Sequence, residues 1–360
     1  MDTSVFFIDQ NIPYLADILS GCGRTVRFDG RTLSAEYLQN EHCTALFVRS
    51  VTNVNAALLQ QTNVRFVGTA TAGTDHIDFN YLHSSGINVA SAAGSNANAV
   101  AEYTLFAMLE WARNNQSILK GKRVGIIGFG NVGKRVADYC NRLNMKIVVN
   151  DPPLFDIGFP FPDWVEYAEI EQLCSKCDII TNHVPLTLAG NYSTLGLLGI
   201  RELSHLQSGT LLIHSSRGGV IDEAILLEIS ENKKLTLVID VWNNEPLINV
   251  QLAKKSIIAT PHIAGYSWNA KLEGTRIIAE KFAEFSGCSL DFSMMNDTLP
   301  ELLNPNCTNQ TTIYTTLNER RQFLQDTHNL RQTFNLSPAQ RAKAFDQLRK
   351  QYPQRFESLQ

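Results

Sequence analysis

Three side chains in the later part of the chain have the types and spacing to move a proton on a carboxylate-bearing substrate. Arg217 stands in S216-R-G218, just past the apolar run T210-L-L-I213. Glu245 closes D240-V-W-N-N-E245, past L235-T-L-V-I239, and His262 lies in T260-P-H-I-A-G-Y266, past S256-I-I-A259. An imidazole titrates near neutral pH and so can take and return protons. A carboxylate behind it fixes the ring and favours the charged form after proton uptake. A guanidinium grips a carboxylate through paired hydrogen bonds. Taken singly, each residue has a plainer reading: a satisfied core histidine, an arginine in a rim ion pair, a solvated loop acid. Their shared placement favours chemistry, because ligands of open α/β sheets bind beyond the carboxyl ends of the strands.

A second signal says what the proton transfer accompanies. V124-G-I-I-G128-F-G130-N-V-G133 gives G-x-G-x-x-G directly after a strand-like run and at the opening of a helix. A bare match is weak, but the next strand ends in N150-D151, where the fingerprint expects an acid for the ribose hydroxyls. Gly128, Gly130 and Gly133 let the backbone approach a pyrophosphate, and Asn131 and Val132 open the helix whose free N–H groups face it. Asp151 would repel a 2′-phosphate, so NAD is expected rather than NADP. Imidazole, carboxylate, guanidinium and NAD together make one reaction: oxidation of a hydroxyl carbon by hydride transfer, with His262 as the base.

These groups need elements to hold them. From Val5 to about Ala264, β-branched runs alternate with helical runs, the pattern of βαβ units and parallel sheets. The units are too many for one sheet, and two long helical runs, N96–W111 and N269–F285, are placed to carry the chain between two α/β domains. A Pro-, Asn- and Thr-rich stretch, 299–312, reads as a linker, followed by charged helical stretches at 318–326 and 339–352. The 44% hydrophobic and 18% charged residues are ordinary for a globular protein. A formal charge of −4 with no basic run argues against nucleic acid, and no apolar run reaches the ~18 residues of a membrane span. The start, M1-D-T-S-V-F-F-I-D9, shows no export signal, and seven scattered cysteines fit a reducing compartment, so a soluble cytoplasmic protein is expected. C174-S-K-C177 lacks a second ligand pair at zinc spacing and reads as buried helix thiols; no metal is expected.

G128-x-G-x-x-G133, S216-R-G218, D240-V-W-N-N-E245 and T260-P-H-I-A264 together resemble the D-2-hydroxyacid dehydrogenase family. The resemblance implies a flavodoxin-like substrate domain (1–97 and 269–288) and a Rossmann NAD domain (98–268), both doubly wound parallel sheets. It also implies Arg217 for the substrate carboxylate, Glu245 orienting and His262 as acid/base. V48-R-S-V-T-N-V-N55, F66–D78, N96-A-N-A-V-A-E-Y103 and H262-I-A-G-Y266 resemble the branch of the family acting on a small phosphorylated 2-hydroxy acid. F345-D-Q-L-R-K-Q-Y352 resembles that branch's C-terminal dimerisation module, taken here as 289–360, and implies a homodimer; E357-S-L-Q360 ends it early. Ser50, Thr71 and Tyr266 transfer as substrate contacts, and Asp151, Asp240 and Gly265 as NAD contacts; Val184 replaces a cofactor-touching threonine. Arg49, beside Ser50, offers charge for the phosphate or the carboxylate, against a solvent-facing ion pair. Two other readings stand beside this one. One is a dehydrogenase for 3-phosphoglycerate or another small 2-hydroxy acid, though the helical tail is unlike a ferredoxin-like regulatory module. The other is an NAD(H)-sensing binding module.

Overall fold

The computed structural model describes residues 4–295 and 299–359; the readings made above on Met1–Thr3 and Gln360 lie outside the described residues. The chain forms two compact units, Met1–Asn96 with Ser267–Leu299, and Ala97–Tyr266 with Pro300–Gln360.

The first unit is a five-stranded parallel sheet of β1 (Val5–Asp9), β2 (Arg24–Phe28), β3 (Ala45–Val48), β4 (Phe66–Thr69) and β5 (Asn88–Ser91), in the order β2-β1-β3-β4-β5. That is the flavodoxin-like order that the family resemblance implies. V-F-F-I-D in β1 is buried throughout, as a strand covered on both faces must be. The helix Trp268–Ser286 returns to this unit, its first turn capped by Ser267 Oγ, which accepts from Ala270 N at 2.9 Å. Phe282 on that helix meets Phe6, Phe47 and Phe66 edge-on, with centroids 5.1–5.3 Å apart. Gly274 lets it press on the β4 exit, where a Cβ would come within 2.9 Å of the Ala70 carbonyl oxygen.

The second unit carries β6 (Arg123–Ile127), β7 (Lys146–Asn150), β8 (Val165–Tyr167), β9 (Ile179–Asn182), β10 (Leu211–His214), β11 (Thr236–Ile239) and β12 (Ile258–Ala259). All pair in parallel, in the order β12-β11-β10-β9-β6-β7-β8. Read from β8, this is the Rossmann order with one further strand, and the strand order reverses between β6 and β9. The helix Ala97–Asn114 is buried on nearly every side, consistent with its apolar run. Cys174 and Cys177 are buried free thiols whose burial pushes each up to about 12. No described helix is long and apolar enough to cross a membrane.

The tail folds as the helices Gln310–Arg321, Phe323–Arg331 and Pro338–Lys350 and shares the second unit. The helical stretch expected at 318–326 is broken at Gln322, whose φ of 54° lies in the left-handed region. Just before that break Arg321 is fully buried against Glu102, at 2.6 Å, with both side chains closed to solvent. It also donates to the carbonyls of Ala99 (3.4 Å), Ala264 (3.2 Å) and Tyr266 (3.3 Å). The other Glu102 oxygen accepts from the N–H groups of Ser358 and Leu359, so one carboxylate fastens both the middle and the end of the tail.

A buried charge left without its partner is far more costly than the intact pair is stabilising. Arg321→Met is therefore expected to destabilise the fold by about 3–5 kcal/mol, read as a urea midpoint. Adding Glu102→Leu should recover part of that loss; a double variant weaker than the single would show that the pair is not the cause.

Candidate active site

Three histidines stand at the exits of β9, β10 and β12: His183, His214 and His262. Their surroundings separate them. His214 is closed to solvent. His183 is partly buried, with its Nε2 3.0 Å from Thr181 Oγ1 and its Nδ1 buried. Desolvation pushes both imidazoles down to about 3, so they are neutral structural groups. His214 Nδ1 meets the Asn182 side chain at 3.0 Å, and Asn182 also receives the Ser216 hydroxyl. The His262 side chain keeps 31% of its surface open and is paired with a carboxylate.

The His262 loop is clamped from below. Asp240, at the end of β11, is buried, and its carboxylate accepts from Thr260 Oγ1 (2.6 Å), Ile263 N (2.8 Å) and Ala264 N (3.0 Å). Because Thr260 donates to Asp240, its oxygen is left to accept from Tyr103 OH at 2.8 Å. His262 N–H in turn donates to the Asp240 carbonyl at 2.8 Å. The backbone of His262 is held at φ 56°, a left-handed conformation that costs a residue with a Cβ about 1 kcal/mol or more and persists only where its surroundings enforce it.

Glu245 comes to the histidine from a neighbouring loop. Its oxygens lie 3.0 and 2.9 Å from His262 Nδ1. An ionised carboxylate only accepts, so Nδ1 carries the hydrogen and Nε2 is left to exchange a proton with a ligand. Burial alone would push the Glu245 carboxyl up. The hydrogen bond and charge of His262, the Arg349 guanidinium and the Trp242 N–H outweigh it and hold the group below its ordinary value.

Arg217 is half-buried at the exit of β10, its Nη1 donating to the Ser216 carbonyl at 2.9 Å. Its loop is packed against that of Glu245: a Cβ on Gly218 would collide with the Trp242 carbonyl, and Gly219 N donates to Asn243 Oδ1 at 2.7 Å. Trp242 Nε1 donates to the Thr260 carbonyl at 3.0 Å, joining the Glu245 loop to the His262 loop. The three strand-exit residues thus sit on three loops bound to one another. Gly265 and Tyr266 follow on the last of them, with Tyr266 packed edge-on to Tyr352 at 5.5 Å.

At the other side of the reversal, the glycine turn has the shape that a dinucleotide needs. Gly128 has φ 89°, and a Cβ there would come within 2.9 Å of Val184. A Cβ on Gly133 would strike the Gly128 carbonyl. Gly130 instead has open space on its side-chain face and caps the helix Asn131–Arg142 with no side-chain hydrogen bond. Its first N–H groups, on Asn131, Val132 and Gly133, are left to face an anion, so the residues present fit a pyrophosphate. Asp151 accepts from Phe129 N at 2.7 Å and Leu154 N at 3.1 Å, one bond on each oxygen, which leaves lone pairs for ribose hydroxyls.

Ser50, Arg49 and Thr71 belong to the first unit. Arg49 and Ser50 follow β3, and Thr71 follows β4, its hydroxyl sharing a chain with Thr69 (2.9 Å) and, through Thr69, with His76 (2.9 Å). Sequence reading passed over Lys271, in the first turn of the helix Trp268–Ser286. Burial, and then the charge of Arg49, lower its ammonium below the ordinary value, and neither cation pairs with a carboxylate among the described residues. It also passed over Arg349, since nothing local in the tail sequence points at a loop about a hundred residues away.

A sheet of Rossmann order with a dinucleotide turn at its reversal and an imidazole–carboxylate pair at its strand exits defines a class, and residues 96–264 match the NAD binding domain of the D-isomer specific 2-hydroxyacid dehydrogenases. The chain belongs to that family and is an NAD-dependent oxidoreductase. Erythronate-4-phosphate dehydrogenases of Escherichia coli O1:K1 / APEC and Shigella flexneri serotype 5b (strain 8401) are 41% and 40% identical to it over 281 residues, 78% of this chain and 73% of theirs. An NAD-bound 3-phosphoglycerate dehydrogenase from Entamoeba histolytica superimposes with a TM-score of 0.66 at 25% identity, over 79% of this chain and 95% of that one. A D-lactate dehydrogenase from Aquifex aeolicus, solved with NAD and lactic acid, shares the fold at 21% identity and a TM-score of 0.62, over 79% and 96%.

Because the Glu245 carboxyl is held down in the folded state, its contribution to stability is present above the unfolded value of about 4.3 and is lost as pH falls through the folded value. Glu245→Gln should therefore differ from wild type in urea midpoint at pH 6 and converge on it toward pH 3. A constant difference across that window would remove the titrating carboxylate from the account.

Proposed function

We propose that the protein oxidises 4-phospho-D-erythronate to (R)-3-hydroxy-2-oxo-4-phosphooxybutanoate with NAD, in pyridoxal 5′-phosphate (vitamin B6) biosynthesis. The Glu245–His262 bond carries this reading, because it leaves Nε2 of a partly exposed ring to act as a base beside an NAD fold. The names of the relatives at 41% and 40% identity support the substrate.

Arg217 pairs with the substrate carboxylate and orients C2. His262 Nε2 takes the C2 hydroxyl proton, and Glu245 favours the imidazolium that forms. Bound NAD supplies the acceptor for the C2 hydride. Gly128, Gly130, Asn131, Val132, Gly133 and Asp151 would hold its pyrophosphate and ribose, and Gly265, with Asp240 through the loop it clamps, would complete the cofactor contacts. Ser50, Thr71, Tyr266 and Arg49 contact the substrate. Arg49 and Lys271 receive the phosphate, since two cations facing one another without a carboxylate are relieved by an anion. The domain roles follow: 1–97 and 269–288 for substrate, 98–268 for NAD, and 289–360 for dimerisation of a cytoplasmic homodimer.

NADH formation at 340 nm from 4-phosphoerythronate, 3-phosphoglycerate and unphosphorylated erythronate tests the reading, with a 2-oxo acid acceptor in parallel in case bound cofactor does not exchange. Wild type is expected to prefer 4-phosphoerythronate, and His262→Ala to lose about 10²–10⁴ in kcat. Preference for 3-phosphoglycerate would keep the mechanism and overturn the substrate; no turnover with nucleotide still bound would favour an NAD(H) sensor. Lys271→Met should raise KM for the phosphorylated substrate about tenfold or more and leave that for erythronate unchanged. An equal rise for both would take Lys271 away from the phosphate.

A further inference from the structure

The tail helix Pro338–Lys350 delivers a second guanidinium to the acid–base pair. Arg349 Nη1 lies 3.7 Å from Glu245 Oε2, with the two side chains 27% and 20% exposed. Arg349 also hydrogen-bonds Tyr266, on the His262 loop, and its guanidinium stacks over Phe345 on its own helix at 6.0 Å. Its Nε is buried with no hydrogen-bond partner among the described residues, so the group is not held there by a full set of bonds of its own. What lies under it is tied down: Arg321 binds the carbonyls of Ala264 and Tyr266, and Tyr352, two residues past the helix end, donates to Asp326 at 2.9 Å and packs on Tyr266.

We propose that Arg349 is a positioning residue for the reaction: it shares the Glu245 carboxylate with His262 and braces Tyr266, so that the docked tail sets the pH at which the pair takes and releases its proton. This rests on the hydride-transfer reading above.

The sign follows from which charges face the pair. Glu245 is faced by His262, by Arg349, and by Glu223, which burial pushes up and whose charge opposes that of Glu245. His262 is faced by Glu245, by Asp240 beneath its loop and by His214, which burial keeps neutral. Arg349 is thus the cation that competes with the imidazolium for Glu245. Without it the whole carboxylate acts on the imidazolium, the pair keeps its proton to higher pH, and the base form needed for oxidation appears later. A charge about 4 Å away and partly open to solvent is expected to move the titration by about 0.5–1 unit, not several.

The experiment is the pH profile of kcat/KM for 4-phosphoerythronate oxidation from pH 5.5 to 9.5 in wild type, Arg349→Gln and Arg349→Lys. Arg349→Gln should move the acid limb up by about 0.5–1 unit, lowering the rate at pH 6.5 about three- to tenfold and leaving the alkaline plateau within about threefold. Arg349→Lys should bring the limb most of the way back, since it restores the charge without the fork. A tail that only needs gluing down would give lower melting temperatures and a loss of rate equal at every pH, and that result overturns the proposal. So would a limb that moves in Arg349→Gln and stays moved in Arg349→Lys. Histidine ring NMR on the same proteins, with His262→Ala to identify the signal, follows the pair without turnover. If no substrate is oxidised by wild type, the dehydrogenase reading fails there, while an unmoved imidazole signal in a folded Arg349→Gln protein still sinks this one.

Discussion

The buried carboxylate of Asp240 is the interaction on which the candidate active site depends. Taking an ionised group out of water is costly unless it is fully hydrogen-bonded. Here three donors converge on it, two of them main-chain N–H groups of the very loop that carries His262. The exchange works in both directions: the loop satisfies the charge, and the charge fixes a loop whose central residue sits at positive φ. Trp242 and Gly218 then propagate that position, one by a bond to the Thr260 carbonyl and the other by contact with the Trp242 carbonyl. Move Asp240, and histidine, glutamate and arginine loops all lose their common reference.

The same logic explains why the tail is built on charged groups when an apolar helix face would have been simpler. Hydrophobic packing is non-directional and holds a helix against a surface without fixing the carbonyls beneath it. Arg321 reads particular carbonyls, those of Ala264 and Tyr266, and it can be buried only because Glu102 lies opposite. A buried ion pair of this kind is a weak source of stability compared with an apolar replacement, and its use is to specify one geometry. The geometry specified here is that of Ala264 and Tyr266, two and four residues beyond His262.

The candidate site was legible where the chemistry is local to a strand end. His262, Glu245 and Arg217 lie three, six and four residues past an apolar run, so their places at strand ends put them on one edge before any contact was known, and the glycine spacing with Asp151 marked a nucleotide turn. The central strands were legible for the same reason: continuous Val, Ile, Leu and Phe runs leave a parallel strand little alternative. The strands that sequence reading passed over are β2, β5 and β8, which lie at sheet edges, keep several residues open to solvent and include Arg24, Arg27, Asn88 and Glu166. Charged and polar residues on an edge strand discourage pairing with another chain, and they hide it from a hydrophobic pattern.

What could not be read was anything joining distant segments. Asp240 has the sequence look of a cofactor contact, and only the fold reveals that its oxygens already serve Thr260, Ile263 and Ala264. Arg321 and Arg349 look like solvated charges on amphipathic helices, and a solvated face is the ordinary fate of such residues. Their burial depends on where the tail docks, which no spacing within the tail encodes. Gln322 is another case: a helix-compatible residue takes the left-handed conformation because Arg321 before it and Phe323 after it are both drawn fully into the core. Local propensity would have continued the helix, and tertiary packing broke it. The residues of the candidate site are thus written locally, and those that hold its geometry are written across the chain, so a reading of one sequence proposes the first kind and needs the fold for the second.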